Sequence, residues 1–157
     1  MDDPFAVTMT GFPLLQGFTL QGAQRLLDRG EIKECGPGEI IFKEGDPPEF
    51  VLLVLAGKIQ VFVERDGGDL SLTDVGPGAV LGELAVLCAI PRAASVRAID
   101  KTTVLQWSAS AFRNLLLRHP LLSERIFKES LRTLVEKERS LIDSIMLTSR
   151  NDGKPVE

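Results

Sequence analysis

The sequence predicts an α+β fold: an antiparallel β-roll of the double-stranded, jelly-roll type with a short helix before it, another inserted in it, and two helices after it. Three observations carry that prediction. The apolar period is helical up to Gly30, becomes two between Glu31 and Ser108, and turns helical again beyond Ser108. Glycine-rich turns punctuate the middle region at short, regular intervals: Gly36-Pro37-Gly38, Gly45-Asp46-Pro47-Pro48, Asp66-Gly67-Gly68 and Gly76-Pro77-Gly78. Finally, 157 residues with 44% hydrophobic and 25% charged content suit one domain with one real core.

Taken in order, residues 1–11 read as a flexible lead-in. Thr19 can cap a helix whose apolar face is Leu20, Ala23, Leu26 and Leu27, and Gly30 can end it. In the roll, Ile59, Val61 and Val63 alternate with Lys58, Gln60 and Glu64. Leu70 and Leu72 alternate with Asp69, Ser71 and Thr73. Gly36-Pro37-Gly38 and Gly76-Pro77-Gly78 each lead into an apolar strand, a faint internal echo of two similar hairpin layers. Ser108 or Ser110 can cap a helix with Phe112, Leu115 and Leu116, and Pro120 suits the first turn of the next one. That last helix carries Phe127, Leu131, Leu134, Leu141 and Ile145 at three-four spacing, with Glu138 interrupting. The organisation expected is a roll with flanking helices over 12–120, a C-terminal helix over 121–148, and a disordered polar tail over 149–157.

Composition excludes several functions. A net charge of −4 argues against a dedicated nucleic-acid binder, which gathers Lys and Arg on one face. A small anion is still allowed, because one buried arginine can serve it. The N-terminus MDDPFAVTMTG has no basic stretch leading into an apolar run, and the longest apolar run, 50–56, falls far short of the roughly 20 residues that span a bilayer. A cytoplasmic location is expected. Cys35 and Cys88 read as reduced core thiols, with a disulfide as the alternative. His119, the single histidine, sits between the trailing helices as a helix-boundary residue. No metal set of the cupin-enzyme sort and no Ser-His-acid or Cys-His arrangement can be assembled around it, so no catalytic residue, metal or cofactor is expected.

Residues 81–98, LGELAVLCAIPRAASVRA, are unusual for a β protein. A strand ends at Gly82, and Glu83 to Leu87 read as a helical turn or two. Pro91 and Arg92 follow, then the small residues Ala93, Ala94 and Ser95. A short helix N-terminus exposes N–H groups and partial positive charge. Arg92 offers a planar fork of donors matching a phosphate, and Glu83 can accept from hydroxyls. Together they suit a sugar phosphate. An Arg and a Glu at this separation are usually an ordinary surface ion pair, and spacing alone leaves the functional reading open beside that one.

The string Gly82-Glu83-Leu84-Ala85, followed by Pro91-Arg92-Ala93-Ala94-Ser95-Val96, resembles the phosphate-binding cassette of the cyclic-nucleotide-binding domain family. The likeness runs through the leading helix, the PGEIIFKEGD stretch before the third strand, the turn at Gly57 and the two trailing helices. It implies that Arg92 pairs with the cyclic phosphate, while the N–H groups of Leu84, Ala85 and Ala94 bond its oxygens with the Ser95 hydroxyl nearby. Glu83 would accept from the ribose 2′-OH, the Gly82 backbone would lie against the sugar, and Val61 and Leu72 would wall the purine. Ala93 stands where domains favouring cGMP often carry Thr, which tilts the implied ligand to cAMP, with cGMP second.

The resemblance also implies a sensor whose last helix answers the ligand by capping the base, by pairing into a homodimer, or by passing a signal onward. The plain alternative for that helix is a stripe covering the open end of the roll. Members that act as transcription factors continue into a basic helix-turn-helix. None follows here, so neither DNA nor membrane binding is expected of this chain. A module that kept the fold but lost the ligand would show a broken cassette, whereas both Glu83 and Arg92 are present.

Overall fold

The computed structural model of the protein describes residues 2–152, and within them alternation and turn chemistry divide residues 31–108 into eight strands. These are β1 (Glu31–Cys35), β2 (Ile40–Phe42), β3 (Phe50–Ala56), β4 (Ile59–Arg65), β5 (Gly68–Val75), β6 (Val80–Leu81), β7 (Ser95–Ala98) and β8 (Thr102–Ser108). They pair antiparallel in two sheets, ordered β1-β8-β3-β6 and β2-β7-β4-β5. The sheets meet over one apolar cluster. Cys35, Leu52, Val54 and Val104 come from the first, and Phe42, Ile59, Val96 and Ala98 from the second.

β3 shows why its sequence is apolar throughout rather than alternating. Leu52 and Val54 enter the inter-sheet core, while Val51 and Leu53 are buried with helices against the strand. Five helices accompany the strands: α1 (Pro4–Thr10), α2 (Leu20–Asp28), α3 (Glu83–Cys88), α4 (Ala109–Arg118) and α5 (Pro120–Asp152). Thr19 caps α2 through Gly22 N–H at 3.0 Å, and Ser108 caps α4 through Ala111 N–H at 3.1 Å. The Trp107 indole on β8 donates to the Leu26 carbonyl at 2.9 Å, which ties α2 to the roll. Gly57, with φ 95°, turns β3 into β4 where a side chain would collide with Thr102.

Leu70 and Leu72 are exposed, because β5 is the outer strand of its sheet, paired with β4 alone. Three expectations are corrected. Residues 4–10 are the helix α1 rather than a flexible lead-in, because Asp3 caps it through Phe5 N–H, Pro4 suits its first turn, and Ala6 and Met9 are fully buried. Cys88 is exposed at the end of α3, whereas Cys35 is buried, and both are free thiols. Residues 149–152 continue α5, since no Gly or Pro interrupts the chain before Gly153; the rest of the expected tail lies outside the described residues.

The chain divides into two compact units, residues 1–123 and 124–157. In the second, Leu131, Leu134, Leu141 and Ile145 are exposed along α5. Among the described residues no helix is long and apolar enough to cross a membrane.

Candidate functional site

β6 stops at Leu81, and Gly82 turns the chain with φ 84°, a left-handed conformation that favours glycine. A Cβ there would fall on the Arg92 guanidinium, so the absent side chain is also what lets Arg92 approach the backbone. α3 follows, and its first-turn N–H groups precede any intrahelical acceptor. The helix ends at Ala89, itself left-handed at φ 53°, with Ile90 N–H closing back on the Ala85 carbonyl at 3.0 Å.

The chain then returns to place Arg92. Its backbone is pinned to the loop before β3: Gly45 N–H donates to the Arg92 carbonyl at 2.8 Å, and Arg92 N–H donates to the Asp46 carbonyl at 2.9 Å. The side chain is 3% exposed. Nη1 donates to the Gly82 carbonyl at 2.9 Å and Nη2 to the Phe50 carbonyl. The guanidinium lies over two aromatic faces, 4.1 Å from the Phe42 centroid and 5.0 Å from that of Phe50. Nε is a buried donor with no hydrogen-bond partner. Burial pushes the Arg92 pKa down, while the charges of Asp46, Glu83 and Glu49 push it back up. An arginine in such a balance keeps its proton at neutral pH.

The structure brings most of the expected residues together. Gly82, Glu83, Leu84 and Ala85 lead into α3, and the Arg92–Gly82 bond joins them to Arg92, Ala93, Ala94 and Ser95 on the return to β7. Ser95 is buried, and its hydroxyl accepts Glu44 N–H at 2.8 Å, which leaves the hydroxyl proton to be donated. Val61 on β4 pairs with Val96 and packs against the core from the same sheet. Leu72 lies beside the β4–β5 irregularity at Val61/Phe62 with its side chain exposed. Phe42 and Phe50 are neighbours of Arg92 that sequence reasoning did not find. They stand 50 and 42 positions from Arg92 in the chain, and no local period marks them.

A model of the cyclic nucleotide-binding domain matches residues 32–119, more than half of the chain and all of the segment just described. The chain belongs to this family. The cAMP-dependent protein kinase regulatory subunit of Blastocladiella emersonii is 32% identical over 97 residues, covering 61% of this chain and 24% of that protein. Lysophospholipase NTE1 of Chaetomium globosum is 33% identical over 111 residues, 70% of this chain but 7% of that protein. The crystal structure of the Thermus thermophilus catabolite activator protein superposes with a TM-score of 0.74 at 28% identity, covering 82% of this chain and 61% of that one. This cyclic nucleotide-binding domain thus spans a quarter or less of the length of the first two relatives.

Other titratable groups of the domain lie elsewhere. Burial, with the hydrogen bond and charge of Glu39, pushes the Cys35 thiol up to about 11. His119 stacks near Phe18, with ring centroids 6.3 Å apart. Burial, then the charges of Arg29, Arg25 and Arg118, lower its pKa. Among the described residues no group of three or more His, Cys, Asp or Glu side chains could hold a metal ion.

Proposed function

We propose that this domain is a non-catalytic sensor that binds cAMP through Arg92 and the N-terminal turn of α3. The observation that carries the reading is the state of Arg92. It is a permanent cation, almost wholly enclosed, bonded to backbone carbonyls, with an unpartnered Nε. A monoanionic cyclic phosphate supplies acceptors and a countercharge to such a group, in a medium where charge-assisted bonds are strong.

The remaining roles are those that the family resemblance implies. The N–H groups of Leu84, Ala85 and Ala94 take phosphate oxygens, and Ser95 donates its hydroxyl proton. Glu83 accepts from the ribose 2′-OH against the Gly82 backbone, and Val61 and Leu72 flank the purine. Ala93, in place of a threonine hydroxyl, favours adenine over guanine. The base sits against a strand whose leucine is exposed, so ligand burial of Leu72 belongs to the proposal.

A thermal-shift titration with cAMP, cGMP and AMP tests this directly. At about one hundred times the dissociation constant a ligand adds roughly 2.7 kcal/mol, so cAMP raises Tm by several degrees, cGMP by less, and AMP, lacking the cyclic ester, by little. No shift with either cyclic nucleotide sinks the assignment.

We further propose that ligand binding biases the position of α5 and that its exposed apolar stripe pairs with a second copy. A ligand shifts such an equilibrium only as far as it binds the two states differently. Hydrogen exchange across residues 121–147 should therefore change on adding cAMP, and sedimentation should report a dimer. Identical exchange with and without cAMP removes the first claim, and a monomer at every concentration removes the second.

A further inference from the structure

Helix α3 is held at both ends by arginines from outside it. At its start, Arg92 Nη1 donates to the Gly82 carbonyl at 2.9 Å; near its end, Arg113 Nη2 from α4 donates to the Val86 carbonyl at 2.8 Å. The helix's own bonds to these two carbonyls are long. Val86 N–H reaches the Gly82 oxygen at 3.4 Å, and Ala89 N–H reaches the Val86 oxygen at 3.4 Å. Backbone N–H···O bonds weaken beyond about 3.2 Å, so the two guanidinium groups are the better partners of both carbonyls. Val86 is fully buried, which makes a poorly served carbonyl there costly.

Arg113 stands on a fixed base. Its neighbours Phe112 and Leu115 are buried, and α4 lies against β3 and β8. An anion drawn to Arg92 competes with the Gly82 and Phe50 carbonyls for the same guanidinium, and so alters the hold on α3 at its start. The other hold then decides where that change goes.

Resting on the reading of Arg92 as the phosphate arginine, we propose that Arg113 is a positioning residue that ties α3 to α4 through the Val86 carbonyl. It sets the helix for ligand and carries the re-partnering of Arg92 into α4.

Hydrogen exchange and calorimetry on the full chain, comparing the parent with Arg113→Met and Arg113→Lys, test it. Met keeps most of the stem but no donor, while Lys keeps one donor. Without nucleotide, amides 86–90 should exchange about ten-fold faster in the Met variant. With it, cAMP affinity should fall about three- to thirty-fold, and the change in α4 exchange on adding cAMP should vanish. Lys should restore much of each. Parent-like exchange at 86–90 in the Met variant overturns the tie. So does equal loss in the Met and Lys variants, which would mean that a donor at this position is not what holds the helix. If the Met variant fails to fold, Arg113→Gln, too short to reach Val86, replaces it under the same criteria. Should the parent bind no cyclic nucleotide, the ligand reading falls, and exchange without nucleotide still decides the tie.

Discussion

Arg92 and Arg97 lie five residues apart and make the same first contact, a guanidinium 4.1 Å above a phenylalanine ring, Phe42 for one and Phe62 for the other. Everything else about them differs. Arg97, on β7, donates to Gln60 Oε1 at 2.7 Å and to Asp69 Oδ2 at 2.8 Å, with its side chain 29% exposed. Arg92 is enclosed, bonds carbonyl oxygens, feels the charges of Asp46, Glu83 and Glu49, and keeps one buried donor unused. One cation is neutralised where it stands and braces the β7–β4–β5 surface. The other is held by carbonyl oxygens and ring faces and keeps one buried donor unmet.

Mutation separates the two most widely at the ligand. Arg92→Ala removes one partner of an enclosed charged pair, a loss of about 2–5 kcal/mol, so calorimetry should show cAMP binding weakened by roughly thirty-fold or more. Retained affinity in that variant breaks the comparison at its root. Arg97→Ala should leave affinity within about two-fold while lowering stability by roughly 0.2–1 kcal/mol, the range of a partly exposed ion pair. If Arg97→Ala costs as much binding as Arg92→Ala, the distinction between a braced cation and one with an unmet donor is wrong.

The smallest effect concerns pH, and it lies away from both guanidinium groups. Between about pH 5 and 7.5 the group to watch is His119, whose pKa is lowered by burial and by Arg29, Arg25 and Arg118. A lowered folded pKa means that the unfolded chain binds the proton first. The stability contribution is complete above the ordinary value near 6.5 and is lost as pH falls through the folded value. Tm should therefore decline modestly from pH 7.5 to 5, and His119→Gln should flatten that slope. An unchanged slope would assign it to other groups.

Much of the fold was legible because its causes are local. The switch from helical period to period two, the glycine turns and the caps at Thr19 and Ser108 each act within a few residues. α1 escaped notice although its signature, Asp3 before Pro4, was present; two buried side chains in seven residues make a thin apolar face. The exposure of Leu70 and Leu72 was not legible for a different reason. Alternation says which side of a strand is apolar, but not whether another layer covers it, and β5 lies at the edge of its sheet.

The sequence by itself determined the order of elements, the small residues beside Arg92, and the cassette string that places the chain among cyclic nucleotide-binding domains. Those are properties of near neighbours along the chain. Only the tertiary structure decided what surrounds the arginine. It brought Phe42, Phe50, Gly82 and the loop at Asp46 around one guanidinium, and set Arg113 on the far end of the same helix. These contacts join residues tens of positions apart, where hydrophobic period carries no information and sheet register alone determines who meets whom.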